Sequence, residues 1–153
     1  MSELRSRPLF TIRMTLHPMH ELGQTPMGRR RIVPVREGTF EGDRLRGTVR
    51  TDAGGDWLLL RADGTYQMDV RLTLETDDGA LVLMCYRGVR AASEEVSARI
   101  ARGETVPASE YYLRSTPFFE TSDPRYAWLN NLVAVGVGDR RPDGVSYEVF
   151  EIL

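Results

Sequence analysis

The stretch from Gly54 to Arg90 constrains what this chain can fold into more than any other, because it reads as three β-strands joined by two Asp-Gly turns. The runs Asp56–Leu60 and Tyr66–Leu74 flank Asp63-Gly64, and Asp77-Asp78-Gly79 leads into Ala80–Tyr86. Asp-Gly between β-rich runs supplies the positive φ that tight hairpins need. The expected product is an antiparallel meander.

Side chains alternate between faces along a strand, so pairing can be followed through both turns. A three-residue first loop is read as setting Asp56 opposite Asp69, and a two-residue loop as setting it opposite Arg71. The second turn then brings Arg71 near Met84 and Asp69 near Tyr86. In either register Trp57, Leu59, Tyr66, Met68, Val70, Leu72, Leu74, Leu81, Leu83 and Cys85 share an apolar face. The other face carries Asp56, Asp69, Arg71, Thr73 and Tyr86 among Leu58, Leu60, Val82 and Met84. It is either the solvated side of a sheet or a polar pocket with apolar walls.

Composition removes several classes of chemistry. All 20 basic residues are arginine, which excludes Schiff-base and P-loop lysines. A net charge of -2 gives no global attraction to nucleic acid or to an anionic membrane, and Arg29-Arg30-Arg31 is only a local cluster. The single Cys85 has no internal disulfide partner and reads as an inert core thiol. His17 and His20 lack a third ligand nearby, so no metal and no cofactor are expected. The N-terminus has no signal-peptide pattern and no run spans a membrane, which points to a cytoplasmic protein. A length of 153 residues suits one domain with a self-sufficient core.

Elsewhere Leu9–Leu16 alternates as a first strand, Glu21–Gly28 reads as a loop, and Arg30–Val35 forms a strand interrupted by Pro34. Leu45–Val49 is another short strand, after which Gly54-Gly55 is expected to turn the chain. Ser93 is a good N-cap for a helix that Gly103 can close. Tyr111–Thr116 reads as a strand, Asp123-Pro124 as the start of a single helical turn, and Leu132–Val137 with Val145–Ile152 as a terminal hairpin. Eight or nine short strands with one brief helix indicate an all-β sandwich or barrel.

At Gly54-Gly55-Asp56-Trp57, Asp63-Gly64, Asp69-Val70-Arg71, Asp78-Gly79, Phe119-Glu120-Thr121 and Tyr126-Ala127-Trp128-Leu129-Asn130 the chain resembles domain-of-unknown-function family 3237, from about Leu9 to Glu151. The resemblance implies one antiparallel β-barrel domain over residues 1–153, of about eight strands, similar in build to allene oxide cyclase and dirigent barrels. It also implies that Asp56, Trp57, Asp69 and Arg71 meet Glu120, Tyr126, Trp128 and Asn130 at one barrel mouth.

On that reading Asp56, Asp69 and Tyr86 are candidate catalytic groups, since two carboxylates in a poorly solvated pocket split their pKa values into an acid and a base. Arg71, Arg114, Tyr112, Phe118, Glu120, Tyr126, Trp128 and Asn130 are candidate ligand contacts. The expected activity is a cofactor-independent lyase, isomerase or cyclase acting on a small, partly apolar, anionic molecule. The alternative is a binding protein for a hydrophobic acid. Leu72, Leu74, Leu81 and Leu83, placed outside such a barrel, would need cover and suggest a homodimer.

Overall fold

Ten strands form where the alternating runs lie, and the structure, a computed structural model, describes residues 2–153. They are β1 (Ser6–Leu16), β2 (His20–Thr25), β3 (Gly28–Val33), β4 (Val35–Glu41), β5 (Arg46–Leu60), β6 (Tyr66–Thr76), β7 (Leu81–Ala91), β8 (Tyr112–Glu120), β9 (Ala134–Arg141) and β10 (Gly144–Ile152). One helix, α1 (Glu94–Ala101), follows β7, and its N-cap Ser93 accepts a hydrogen bond from the Val96 N–H. The sheet runs β5-β4-β1-β10-β9-β8-β7-β6, and β6 returns to β5. The result is an antiparallel barrel of eight strands with no free edge in the ring. The β2–β3 hairpin adds two more strands by pairing with the second half of β5, Val33 opposite Asp56. Glu21–Gly28, expected to be a loop, thus falls largely within β2, because β3 offers that strand a paired edge.

The first turn is the three-residue loop that the sequence allowed, but it does not set Asp56 opposite Asp69, and the second turn closes on Ala80, one residue later than expected; both reverse β6. Arg61 pairs with Thr65 across Ala62-Asp63-Gly64, and Thr76 pairs with Ala80 across Asp77-Asp78-Gly79. Gly64 and Gly79 take φ of 82° and 89°, while no non-glycine residue among those described has positive φ. The aspartates are therefore not the first residue of a mirror-image two-residue turn. Each loop holds three residues and ends on a left-handed glycine. A three-residue loop pairs even positions with even, so Asp56 faces Val70, not Asp69 or Arg71, and Leu72 faces Met84. A shift of one residue moves every side chain of a strand to the opposite face.

The interior is consequently filled by Met68, Val70, Leu72 and Leu74 from β6 beside Val82, Met84 and Tyr86 from β7. Trp57, Leu81, Leu83 and Cys85, expected with the apolar face, point outward together with Asp69 and Arg71. Cys85 is half-buried on that outer surface and is no core thiol. Leu72 and Leu74, at 1% and 0% exposure, need no external cover, so the reason given for a homodimer falls away at both positions. Gly54-Gly55 does not end a strand either, since β5 runs through it with a shift of register between Val49 and Gly54.

One end of the barrel is plugged. Phe10 packs between Phe40 and Phe119 with ring centroids 5.6 and 5.9 Å away, and a short 3₁₀ turn, Ala127–Asn131, lays Leu129 across that end.

Candidate functional site

The other end is open. There the later parts of β1, β3, β5, β7 and β9 and the starts of β4, β6, β8 and β10 surround a cavity of about 430 Å³, with α1 lying over it through Ser97 and Ile100. Its walls are apolar, from residues such as Val35, Leu58, Met68, Val70 and Leu113. A volume of that size suits one small ligand.

Asp56 sits in this wall because β5 carries it on the inward parity at the level of Val70 and Tyr86. No pair forms between Trp57 or Leu58 and β6, and there the Asp56 Oδ1 accepts the Asp69 N–H at 3.0 Å. The carboxylate is held by the backbone that it interrupts. Burial pushes its pKa up from 3.8 to about 6; the Asp69 N–H opposes this, the Asp69 charge adds to it, and Arg30 opposes it. A carboxyl group that changes charge near neutral pH inside an apolar cavity is suited to acid–base work.

Two phenols stand beside it. Tyr86 and Tyr147 meet edge to face, centroids 5.4 Å apart, and both are fully buried. Burial pushes both hydroxyls above the ordinary tyrosine range, and the Asp56 charge raises each further, which places all three groups within one electrostatic neighbourhood. Both phenols stay protonated at neutral pH and can only donate or relay a proton. Tyr147 fits because β9 presents Gly138 opposite it. A Cβ there would approach Tyr147 Cε1 to 2.8 Å and collide with Leu113.

Toward the rim stand three arginines. Arg31 donates to Glu21 Oε2 at 2.7 Å and to the Tyr66 hydroxyl at 3.2 Å. Arg90 lies over the Tyr66 ring, 4.0 Å from its centroid. Arg140 reaches the carbonyls of Arg141 and Gly144 through Nη1. Burial lowers the pKa of Arg90 and of Arg140, and for Arg140 the neighbouring Arg90 charge lowers it further.

Of the groups singled out from sequence, Asp56 and Tyr86 line the cavity and the others do not. Asp69 contributes its backbone N–H to Asp56 while its side chain faces out, and Arg71 is exposed with its guanidinium 5.7 Å from the Trp57 ring. Arg114 stacks over the exposed Tyr112 at 4.9 Å, also outside. Phe118, Glu120 and Asn130 border a separate shallow depression on the outer wall. Asn130 braces Thr121 through its N–H and carbonyl, Tyr126 donates to both Asp78 oxygens at 2.8 and 2.9 Å, and Arg44 covers the Trp128 ring at 4.1 Å.

These aromatic residues serve the plugged end. Asp78 lies in the β6–β7 turn, whereas Arg90 lies at the far end of β7, a strand of 11 residues or roughly 35 Å. The two motif groups therefore do not meet at one mouth. The sequence reading missed Tyr147, Arg90 and Arg140. The legible signal was Gly136-Val137-Gly138, two inward glycines whose strand partner had to supply bulk. Among the described residues no three His, Cys, Asp or Glu side chains converge as a metal site.

Comparison with known proteins agrees with this architecture. A UPF0311 protein of Rhodopseudomonas palustris is 32% identical, the alignment covering 98% of this chain and 97% of that one. The crystal structure of a conserved protein of unknown function from R. palustris superposes with a TM-score of 0.95 at 31% identity, covering both chains completely. A β-barrel-like protein from Acinetobacter baumannii gives 0.86 at 38% identity over 99% of this chain and 98% of its own. A hydroalkoxylation enzyme of Penicillium herquei is 29% identical over 84% of this chain and 70% of its own length. The model of the family described as "Protein of unknown function (DUF3237)" matches residues 4–152, and the chain belongs to that family.

Proposed function

We propose that this protein is a cofactor-independent enzyme that adds a substrate's own hydroxyl group across a carbon–carbon double bond of the same small, largely apolar molecule, or reverses that addition. The observation that carries the reading is Asp56, a carboxyl group with a pKa of about 6 in an apolar cavity beside two buried phenols. The hydroalkoxylation enzyme of P. herquei supports it, since its named reaction is an addition of this kind.

The chemistry balances with no group outside the substrate and the chain. Protonated Asp56 gives its proton to one alkene carbon while the substrate hydroxyl oxygen bonds to the other. The hydroxyl proton then returns to the Asp56 carboxylate, directly or through Tyr86 and Tyr147. Substrate and product are isomers, and elimination is the same path reversed. An apolar wall favours the neutral acid before transfer, and the phenol donors stabilise the carboxylate after it.

The test is to incubate the purified protein with unsaturated alcohols and 2-alkenylphenols and to follow mass-neutral conversion by chromatography. Asp56→Asn keeps the acceptor for the Asp69 N–H and removes the proton, so turnover should fall about 10² to 10⁴-fold. Unchanged turnover in that variant removes Asp56 from the chemistry.

A further inference from the structure

We propose that Arg90 and Arg140 form a carboxylate-binding subsite at the rim of the cavity, so that the ligand is an organic acid with an apolar body. The inference rests on the reading of the cavity as a substrate site and names the substrate class. Four charged side chains line the cavity: Arg31, Arg90, Arg140 and Asp56. Glu21 answers Arg31 in an ion pair of 2.7 Å. Neither Arg90 nor Arg140 has a carboxylate within 4.0 Å among the described residues, although Asp143 lends Arg140 a favourable field. Two positive charges set against ionised Asp56 leave the cavity with one net positive charge, which a monoanion neutralises.

The second observation is an orphaned donor. Arg90 Nε is buried and has no hydrogen-bond partner among the described residues. Buried polar groups are almost always satisfied, and a buried N–H of a guanidinium left without an acceptor is costly. Arg140 is anchored by Nη1 alone. Burial weakens the hold of both groups on their protons, and an anion between them would restore it. A carboxylate matches the fork of an arginine with two oxygens.

Strand register then orients the ligand. Tyr86 and Arg90 are four residues apart on β7, about 13 Å along the strand. Arg140 lies two residues rimward of Gly138, the partner of Tyr147. An acid group at the rim places the uncharged body against Val70 and Met68 and its inner end beside Asp56. The same arrangement keeps the anion away from Asp56, so binding sets no second negative charge beside that carboxyl group.

The experiment measures binding of 2-naphthoate, neutral 2-naphthol and inorganic phosphate to the purified chain at pH 7 by calorimetry. Wild type should bind naphthoate at least about tenfold tighter than naphthol, and phosphate at the same concentration should not displace it. Arg90→Met and Arg140→Gln should each weaken naphthoate by about ten- to a hundredfold and leave naphthol within about threefold, the range expected for a lost charge-assisted hydrogen bond. Equal affinity for naphthol and naphthoate, displacement by phosphate, or an Arg90→Met variant with wild-type naphthoate affinity would each overturn the proposal. The wild-type ratio decides alone if a variant does not fold. Because the readout is binding, naphthoate held without turnover of any alkene sinks the enzymatic reading only, and turnover of neutral alkenes untouched by Arg90→Met sinks this one only.

Discussion

At one end of the barrel Phe10, Phe40 and Phe119 interlock and Leu129 seals them; at the other, Asp56, Tyr86 and Tyr147 stand around open space. The strands are continuous from one end to the other, and the inward parity never changes along β7 from Val82 to Arg90. An eight-stranded barrel is only wide enough for packed side chains or for one small ligand. This chain does both in sequence along the axis. The difference comes from residue size and charge at a few inward positions, so that one end supplies stability and the other gives some of it up to hold, half-buried, a carboxyl group and two arginines that have no carboxylate partner among the described residues.

The sharpest way to break that comparison is to hollow out the plugged end. Phe40→Ala should cost about 3–5 kcal/mol in chemical denaturation, since Phe40 is 1% exposed and rigidly surrounded. Leu58→Ala, on the cavity wall, already borders empty space and should cost less than half as much. Equal losses would mean that the two ends are packed alike.

Next in size is the charge at Asp56. Its folded pKa of about 6 exceeds the ordinary 3.8, so between those values the folded state holds a proton that the unfolded state has lost. Stability therefore falls as pH rises from about 4 to about 6 and is level above that, the total being on the order of 3 kcal/mol. Asp56→Asn should be more stable than wild type at pH 8 and lose this slope. A variant less stable at pH 8, measured by urea melts across pH, would return Asp56 to the scaffold.

A smaller effect should follow from filling the space in front of Tyr147. Gly138→Ala drives a methyl group against Leu113 and Tyr147, for about 1–3 kcal/mol of overpacking. It should also shift the Asp56 titration, because Tyr147 must move away from it. The smallest effect belongs to the braces of the plugged end. Tyr126→Phe removes the donor to Asp78 and should cost about 1 kcal/mol, or roughly 2–4 °C in Tm, without altering the Asp56 titration.

What the sequence determined by itself is most of the strands and the one helix; its alternation left sandwich and barrel open, and only the family resemblance pointed to the barrel. Alternation in β1, β6, β7 and β10, the Ser93 cap and the two Asp-Gly turns are local properties, and local sterics settled them. Asp56 and Tyr86 were legible as functional candidates because a carboxylate and a phenol among leucines and valines have few structural reasons to be there. Tertiary structure decided which face of β6 is inside. Two loops of three residues, the first of a length the sequence allowed but was read with the wrong pairing and the second one residue longer than expected, exchanged Asp69 and Arg71 for Val70 and Leu72. It also decided the company that Asp56 keeps. Tyr147 and Arg140 arrive from strands more than eighty residues away, and Arg90 from the far end of β7. Such neighbours are set by barrel closure and register, which no single stretch of chain encodes, because the side-chain period of a strand is two and its partner is chosen by the whole ring.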